Sequence, residues 1–522
     1  MHRLPALVTL FVLAAPGLAA QVLDDALVPA GLARIEVSPV FTSWDSRFGR
    51  TPSGTERERL SEDLTRDAAH TLLPGVDELR AAIDAMTGSA GFTPMFGETD
   101  ARVTADVTRV ELGAHLGLFD WLTVGAVVPV TRTRTSVDVW FRPDTISGNL
   151  GVNPNVTSAP SVSSFLQALS TAETATQTHA TQVCLSSPGS PACASAQALA
   201  DRASGFRSSA ATAYSASALF PLATSATGAA LAQSVATLSA DMAAEGLSGI
   251  GTAMPFATQT ITEADFWTLP STPGSGLAYA DALGSIKAPW HVGDMEVTAT
   301  VRLLGGAADT SATGAAFTAR VLATALVRLP TGWTDEPDIA LDIGTGDGQT
   351  DFEGRLLAEL TAGSHFGLQL GGRYGIQRPR TLVRRVAAPE TVLAPASTRR
   401  LVEWEPGAYV GVEVAPVWRF TDELNLVAEY RAFRKSRDTY RTVDSALGGP
   451  LDTSVLEEES GITLHEVGGS LRYSTLGRLA AGVRPIEAHL RVMHAVAGGG
   501  GQTPVTTQVE LGVRLFRRIW GG

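Results

Sequence analysis

The stretch LVRLPTGWTDEPDIALDIGTGDGQTDFEG, residues 326–354, sets glycines beside acids in the manner of a binding loop. Three chemistries could follow. A glycine-rich turn can cradle a phosphate, but that site needs a strand, the turn, a helix N-terminus and, in the Walker form, a following Lys-Ser/Thr. No lysine follows GTGDG, and the residues after it do not begin a helix. Carboxylates at Asp342, Asp347 and Asp351 could hold calcium, which takes oxygen ligands. The twelve-residue calcium-loop spacing fails, because Gly344 and Gly346 stand where oxygen ligands belong. A looser calcium site from the three aspartates stays open. The plainest reading is an irregular loop in which glycine permits positive φ.

Other catalytic patterns are scarce. The nine histidines form no HExxH pair, and no G-x-S-x-G elbow is present. His489 with Glu487, and His115 with Glu111, share strand faces and could move protons. Polar inner faces of barrels collect such residues anyway, and no nucleophile, base and orienter occur together. The sequence therefore reads as a non-enzyme, with no catalytic residue and no cofactor.

The elements around these residues are strands. In DMEVTATVRLL, Met295, Val297, Ala299, Val301 and Leu303 alternate with Asp294, Glu296, Thr298, Thr300 and Arg302. FTARVLATALVRL, DFEGRLLAEL, LNLVAEYRAF and TTQVELGVRLF repeat the pattern, and a period of two is a strand's. These runs reach about ten residues, the length a tilted membrane strand needs. Tight turns with neighbouring aromatics (GLFDW, TAGSHFG, WRFTDEL) alternate with long polar connections. The expectation is an all-β, antiparallel up-and-down transmembrane barrel of about twelve strands: 33–43, 102–117, 120–141, 290–304, 315–330, 348–362, 365–377, 405–419, 423–438, 463–475, 484–496 and 504–518. Pro129 and Pro416 lie inside strands and predict a bulge or break at each.

The N-terminus, MHRLPALVTLFVLAAPGLAAQ, has a short basic start, an apolar run and small residues. It reads as a signal peptide over 1–20. No later run of 18 apolar residues occurs, so an exported barrel must cross with strands. The expected location is the outer membrane of a Gram-negative-type bacterium. A net charge of −13 argues against nucleic acid, whose phosphates need a basic face.

Two insertions interrupt the strands between 21–142 and 290–522. Residues 44–101 hold a charged loop, read as two short amphipathic helices broken near Pro74. Residues 143–289 are rich in Ala, Ser and Thr, with helical stretches near 161–180, 194–216 and 226–246. By strand parity both insertions lie outside the cell. Whether the second caps the pore, plugs it or stays disordered is open. Cys184 and Cys193 bracket a turn and can form a local disulfide in an oxidising compartment.

LPTG (Leu329–Gly332), an acidic loop and Gly344–Asp347 entering a strand resemble the meta-pathway phenol-degradation family of outer-membrane barrels. That family is distantly similar to long-chain fatty-acid transport barrels. VGDMEVTATVRLL (292–304) adds to the likeness, which covers roughly 290–377. The resemblance implies a porin-like channel for small hydrophobic or aromatic solutes and no catalytic residues. A channel predicts an open lumen lined by Asp294, Glu296, Arg302, Arg320, Arg328, Glu353, Arg355, Glu359, Arg373, Glu413, Glu429, Arg431, Glu510 and Arg514. A hydrophobic substrate predicts apolar interruptions such as Val127, Leu322, Leu326 and Leu357. An alternative is a surface barrel whose ordered insertions bind a partner above a closed lumen; a second is an outer-membrane hydrolase. The expected partners are membrane lipid, a small solute and, from the alternating final strand ending VRLFRRIWGG, the barrel-assembly machinery.

Overall fold

The computed structural model describes residues 27–49, 56–65, 75–89, 91–280, 283–305, 317–389, 391–443, 451–481 and 483–520. The expected signal peptide lies outside them. Twelve strands alternate as the period-two pattern requires: β1 Leu32–Trp44, β2 Gly97–Phe119, β3 Leu122–Pro143, β4 Met295–Leu304, β5 Phe317–Leu329, β6 Asp351–Ala362, β7 Phe366–Gln377, β8 Tyr409–Arg419, β9 Leu424–Lys435, β10 Ile462–Ser474, β11 Ile486–Gly499 and β12 Thr507–Arg518. Each pairs antiparallel with the next, and β12 returns to β1 with Leu32 opposite Arg518. The ring is closed, so no edge is left with unpaired backbone groups, a requirement in lipid. An even strand number brings both ends of the chain to one end of the barrel, where Ile519 N–H donates to Gly31 C=O at 2.8 Å.

The outer wall is apolar. Ile35, Val37, Leu112, Val297, Leu356, Val412, Leu426, Leu471, Val492 and Val513 point away from the axis and are 44–57% exposed. In water this would be an aggregation surface; in a bilayer it is the lipid-facing belt. At the terminal end Phe119, Trp121, Phe366, Trp418, Phe420, Tyr473 and Trp520 form an exposed aromatic rim, as interfacial girdles do. Together with the strand lengths, these features make the chain a transmembrane β-barrel of the outer-membrane type.

Both prolines disturb the ladder as expected. Around Pro129 the β3–β4 register slips by one, from Val127 opposite Glu296 to Val130 opposite Val292. Gly293 N–H donates to Pro129 C=O across the slip at 2.8 Å. The β8–β9 pairing skips Ala415 and Pro416, since proline has no N–H to give.

At the end opposite the termini, β2 and β3 overhang the belt and carry a helical cap. Its helices are α1 Val76–Thr87, α2 Ala159–Ser186, α3 Pro191–Ala216, α4 Ala226–Ala244 and α5 Glu263–Thr268. Ser190 and Ser225 cap α3 and α4 through their hydroxyls, and Thr262 with Asp265 forms a capping box on α5. One apolar core joins Leu79 and Ile83 (α1), Phe165 (α2), Phe206 and Tyr214 (α3), Leu231 (α4) and Phe266 (α5) to Val103, Val137 and Phe141 of the overhang. The rings of Phe141 and Phe266 stack at 4.5 Å. The described residues within 143–289 thus pack together as a cap on the overhang. Cys184 and Cys193 form the expected disulfide at the tip of the α2–α3 hairpin, where only alanines and Val183 pack between the helices.

The charged loop differs from the expectation of two helices. Among its described residues only α1 is an α-helix. Arg57–Arg59 is a short strand paired with Ser46–Phe48, and Glu62–Leu64 is a single 3-10 turn. The charges that read as a polar helix face have another use: Glu58 and Asp63 hold the buried Arg47 at 3.0 and 2.9 Å.

Candidate functional site: the lumen and its mouth

The glycine-rich loop 329–351 lies at the capped mouth of the barrel. Its phosphate-like cradle is occupied by the protein's own carboxylate. Gly332 N–H donates to Asp294 Oδ1 at 2.8 Å, and Asp347 N–H donates to Asp294 Oδ2 at 3.1 Å. Thr331 and Thr345 hydroxyls donate to Gly293 and Val292 carbonyls. A Cβ on Gly346 would sit 2.5 Å from both Asp294 oxygens, so glycine is needed for close approach rather than for unusual φ. Further along, Leu341 and Ile343 carbonyls accept from Thr135 and Thr133 on the inner face of β3. The loop therefore lies across the mouth, fastened at both ends.

The three aspartates weighed for calcium are not drawn together. Asp342 accepts from Glu336 N–H at 3.1 Å, whereas Asp347 and Asp351 share the Gln377 amide. No cluster of three or more metal-ligating side chains occurs among the described residues. Burial is the main reason Asp342 and Asp347 sit above the usual carboxylate range.

Below the mouth, alternate residues of all twelve strands point inward, and the sequence-predicted polar residues fall on that wall. Arg328 pairs with Glu296 at 2.8 Å and with Asp351. Arg355 and Arg373 flank Glu353, which also accepts from the Tyr409 hydroxyl at 2.6 Å. Arg431 bridges Glu413 and Glu466 at 3.4 and 3.2 Å. Arg320 pairs with Glu359, and Arg514 with Glu36 at 2.9 Å. Glu510 and Glu429 meet on Arg491, at 3.1 and 3.0 Å. Arg302 lies on the same face near the terminal end, opposite Leu322. A charge removed from water costs several kcal/mol unless paired, so these groups neutralise one another across neighbouring strands. Arg491 and Glu413 are each 1% exposed. Neighbouring side chains shield them from water, so these charges lie packed against one another along the wall.

An apolar strip interrupts the polar wall. Leu322, Leu357, Ala415 and Val427 form a buried cluster with Val417 against it, and Leu326 is buried beside them. Val127 is half-buried on the same wall, opposite Glu296. The N-terminal segment covers the strip. Leu27 packs on the cluster, and Val28, fully buried, donates through its N–H to the Thr123 hydroxyl at 2.9 Å. Gly117 lets this segment pass, since a Cβ there would meet the Val28 and Pro29 carbonyls at 2.2–2.3 Å.

Sequence reasoning missed Arg34, Glu36, Arg109, Glu466, Arg472 and Arg491 on the inner wall. Alternation alone could have found most of them, because Arg34, Glu36, Arg472 and Arg491 each lie between outward apolar neighbours. It could not have found Leu27, nor Phe48, which fills the upper lumen against Tyr409 and Phe433: Leu27 precedes the first strand, and Phe48 ends the three-residue strand Ser46–Phe48 outside the barrel ring. The histidine pairing also differs. His489 bonds Glu510 of the next strand at 2.8 Å rather than Glu487, and Glu510 is shared with Arg491, an arrangement of wall packing.

No family model matches the chain, and no curated protein does. Among solved structures, it is similar to an outer membrane channel from Pseudomonas putida F1, with TM-score 0.43, 9% identity and 95% and 98% of the two chains covered. It is also similar to a FadL homologue from Pseudomonas aeruginosa (TM-score 0.26, 9% identity, 94% and 90% covered). The Pseudomonas putida toluene transporter TodX gives the same four values. At these scores the likeness adds nothing to the architecture described above.

Proposed function

We propose that the chain is an outer-membrane channel for small hydrophobic molecules, with the capped end outside the cell. The apolar strip of Leu322, Leu326, Leu357, Ala415 and Val427 carries this reading, because a lumen built only to conduct ions would keep its polar ladder unbroken. The strip gives an apolar solute a surface to leave water for, worth about 25 cal/mol per Å² buried. Leu27 stands in the place such a solute would take. No residue is assigned a catalytic role.

The test is accumulation of a radiolabelled alkylbenzene by cells with an intact outer membrane, with and without the protein. The channel reading expects faster accumulation with the protein, and at least a several-fold loss in Leu357→Asp. Equal accumulation in all three strains would defeat it. A second reading, a surface-binding barrel, is favoured by the ordered cap. It expects no accumulation, together with saturable binding of a partner that is lost when 159–244 is deleted.

A further inference from the structure

The outer face of β3 changes character abruptly above the lipid belt. Its outward residues are apolar up to Val130; the next two are Arg132 and Arg134. The short strand Ile286–Lys287 pairs with β3 so that Lys287 stands directly opposite Arg134. Ile286 on that strand packs inward against the cap core, which turns Lys287 outward. Beside them Trp290 is 46% exposed, with the Arg132 guanidinium 5.0 Å from its ring centre. Three cations and an indole thus share one patch on a chain whose net charge is −13.

The height of the patch places it at the membrane surface. Arg132 lies eleven residues beyond Trp121 of the terminal aromatic rim. At about 3.3 Å per residue along a strand, with a tilt near 40°, the rise is roughly 28 Å. That matches the height of a barrel's apolar belt, about 25 Å. Val292, exposed and level with Val130, marks the belt's upper edge on the neighbouring strand.

Like charges placed directly opposite on paired strands repel, so Arg134 and Lys287 call for an anion. Asp106, opposite Arg134 on β2, is the nearest acid in register, and Asp138 stands higher on β3. Among the described residues no ion pair engages Arg132, Arg134 or Lys287. Among the described residues the one acid in register is outnumbered by the three cations, so an anion from outside the chain would complete the balance.

We propose that Arg132, Arg134, Lys287 and Trp290 bind the phosphorylated headgroup of a glycolipid in the outer leaflet. The guanidinium groups suit a phosphate, the indole suits the interface, and the acyl chains would lie on the belt below. This rests on the orientation given above, with the capped end outside.

The probe is bisphosphorylated lipid A, added to detergent-purified, folded protein and followed by native mass spectrometry. We expect binding to the natural protein, and at least a tenfold loss in R132Q/R134Q/K287Q. Arg434→Gln, an exposed arginine on another part of the wall, should bind like the natural protein. Heat-modifiable migration of each variant shows that the barrel is intact. Equal binding by the triple variant, or equal binding of dephosphorylated lipid A, overturns the proposal. So does displacement of lipid A by millimolar inorganic phosphate, or preference for phosphatidylglycerol, the mark of the opposite orientation. None of these readouts depends on solute passage, so failure of the channel reading would be seen separately, in the accumulation assay.

Discussion

Replacing Asp294 with alanine should release the mouth loop while leaving the barrel standing. Two backbone N–H groups, of Gly332 and Asp347, donate to this carboxylate at 2.8 and 3.1 Å. Hydrogen bonds to a charged acceptor contribute about 1.5–3 kcal/mol each. Burial offsets part of that, since it is the largest influence on Asp294 and raises its pKa. A net loss of about 2–4 kcal/mol in loop closure follows, which is on the order of 30- to 1000-fold in the open population. Hydrogen–deuterium exchange reads it directly: amides within 330–350 should exchange faster by that factor, with β-strand amides unchanged. Gly346→Ala should act the same way, because its Cβ would displace the carboxylate. Unchanged exchange over 330–350 in both variants would refute the idea that the GTGDG turn exists to hold Asp294.

Other outcomes follow from the same bookkeeping of buried groups. Arg491→Met leaves Glu429 and Glu510 without their shared cation and should lower barrel stability by about 3–5 kcal/mol in urea unfolding; a loss under 1 kcal/mol would contradict the closed ladder. Asp63 is raised to about 7, first by burial and against the pull of Arg47. Its folded pKa exceeds its unfolded one, so the stability it contributes is full below about pH 4 and fades as pH rises through about 7. Tryptic cutting at Arg57 and Arg59 should therefore be faster at pH 8 than at pH 6, and Asp63→Asn should remove the difference. Reducing Cys184–Cys193 frees a short loop, worth about 2–3 kcal/mol by chain entropy. Exchange should quicken around 180–197 and nowhere in the strands; spread into β2 or β3 would mean that the tip supports the cap.

Much of the barrel was legible because its physics is local. A strand that faces lipid on one side and a packed polar interior on the other must alternate, and all twelve strands were placed within a few residues. The overhang of β2 and β3 was under-read: their upper halves face the cap core instead of the lumen, and alternation cannot tell which buried side it serves. The Arg57–Arg59 strand was read as helix because its charges look like a solvated face, while Arg47, the partner of Glu58, lies eleven residues earlier. The role of GTGDG was invisible for a similar reason. Glycines announce an irregular loop, but only tertiary structure brings Asp294 to it. The pairing of the wall charges was also hidden, since a wall of mixed acids and arginines reads the same whether its charges face water or one another.

The most direct test is electrophoretic mobility of the protein extracted from membranes, unboiled against boiled. A closed ring of paired strands resists SDS until heated. A shift in apparent mass on boiling, with the protein in the outer-membrane fraction, is the predicted result. A single band at one position, with the protein soluble in the periplasm, would contradict the transmembrane barrel and the channel reading built on it.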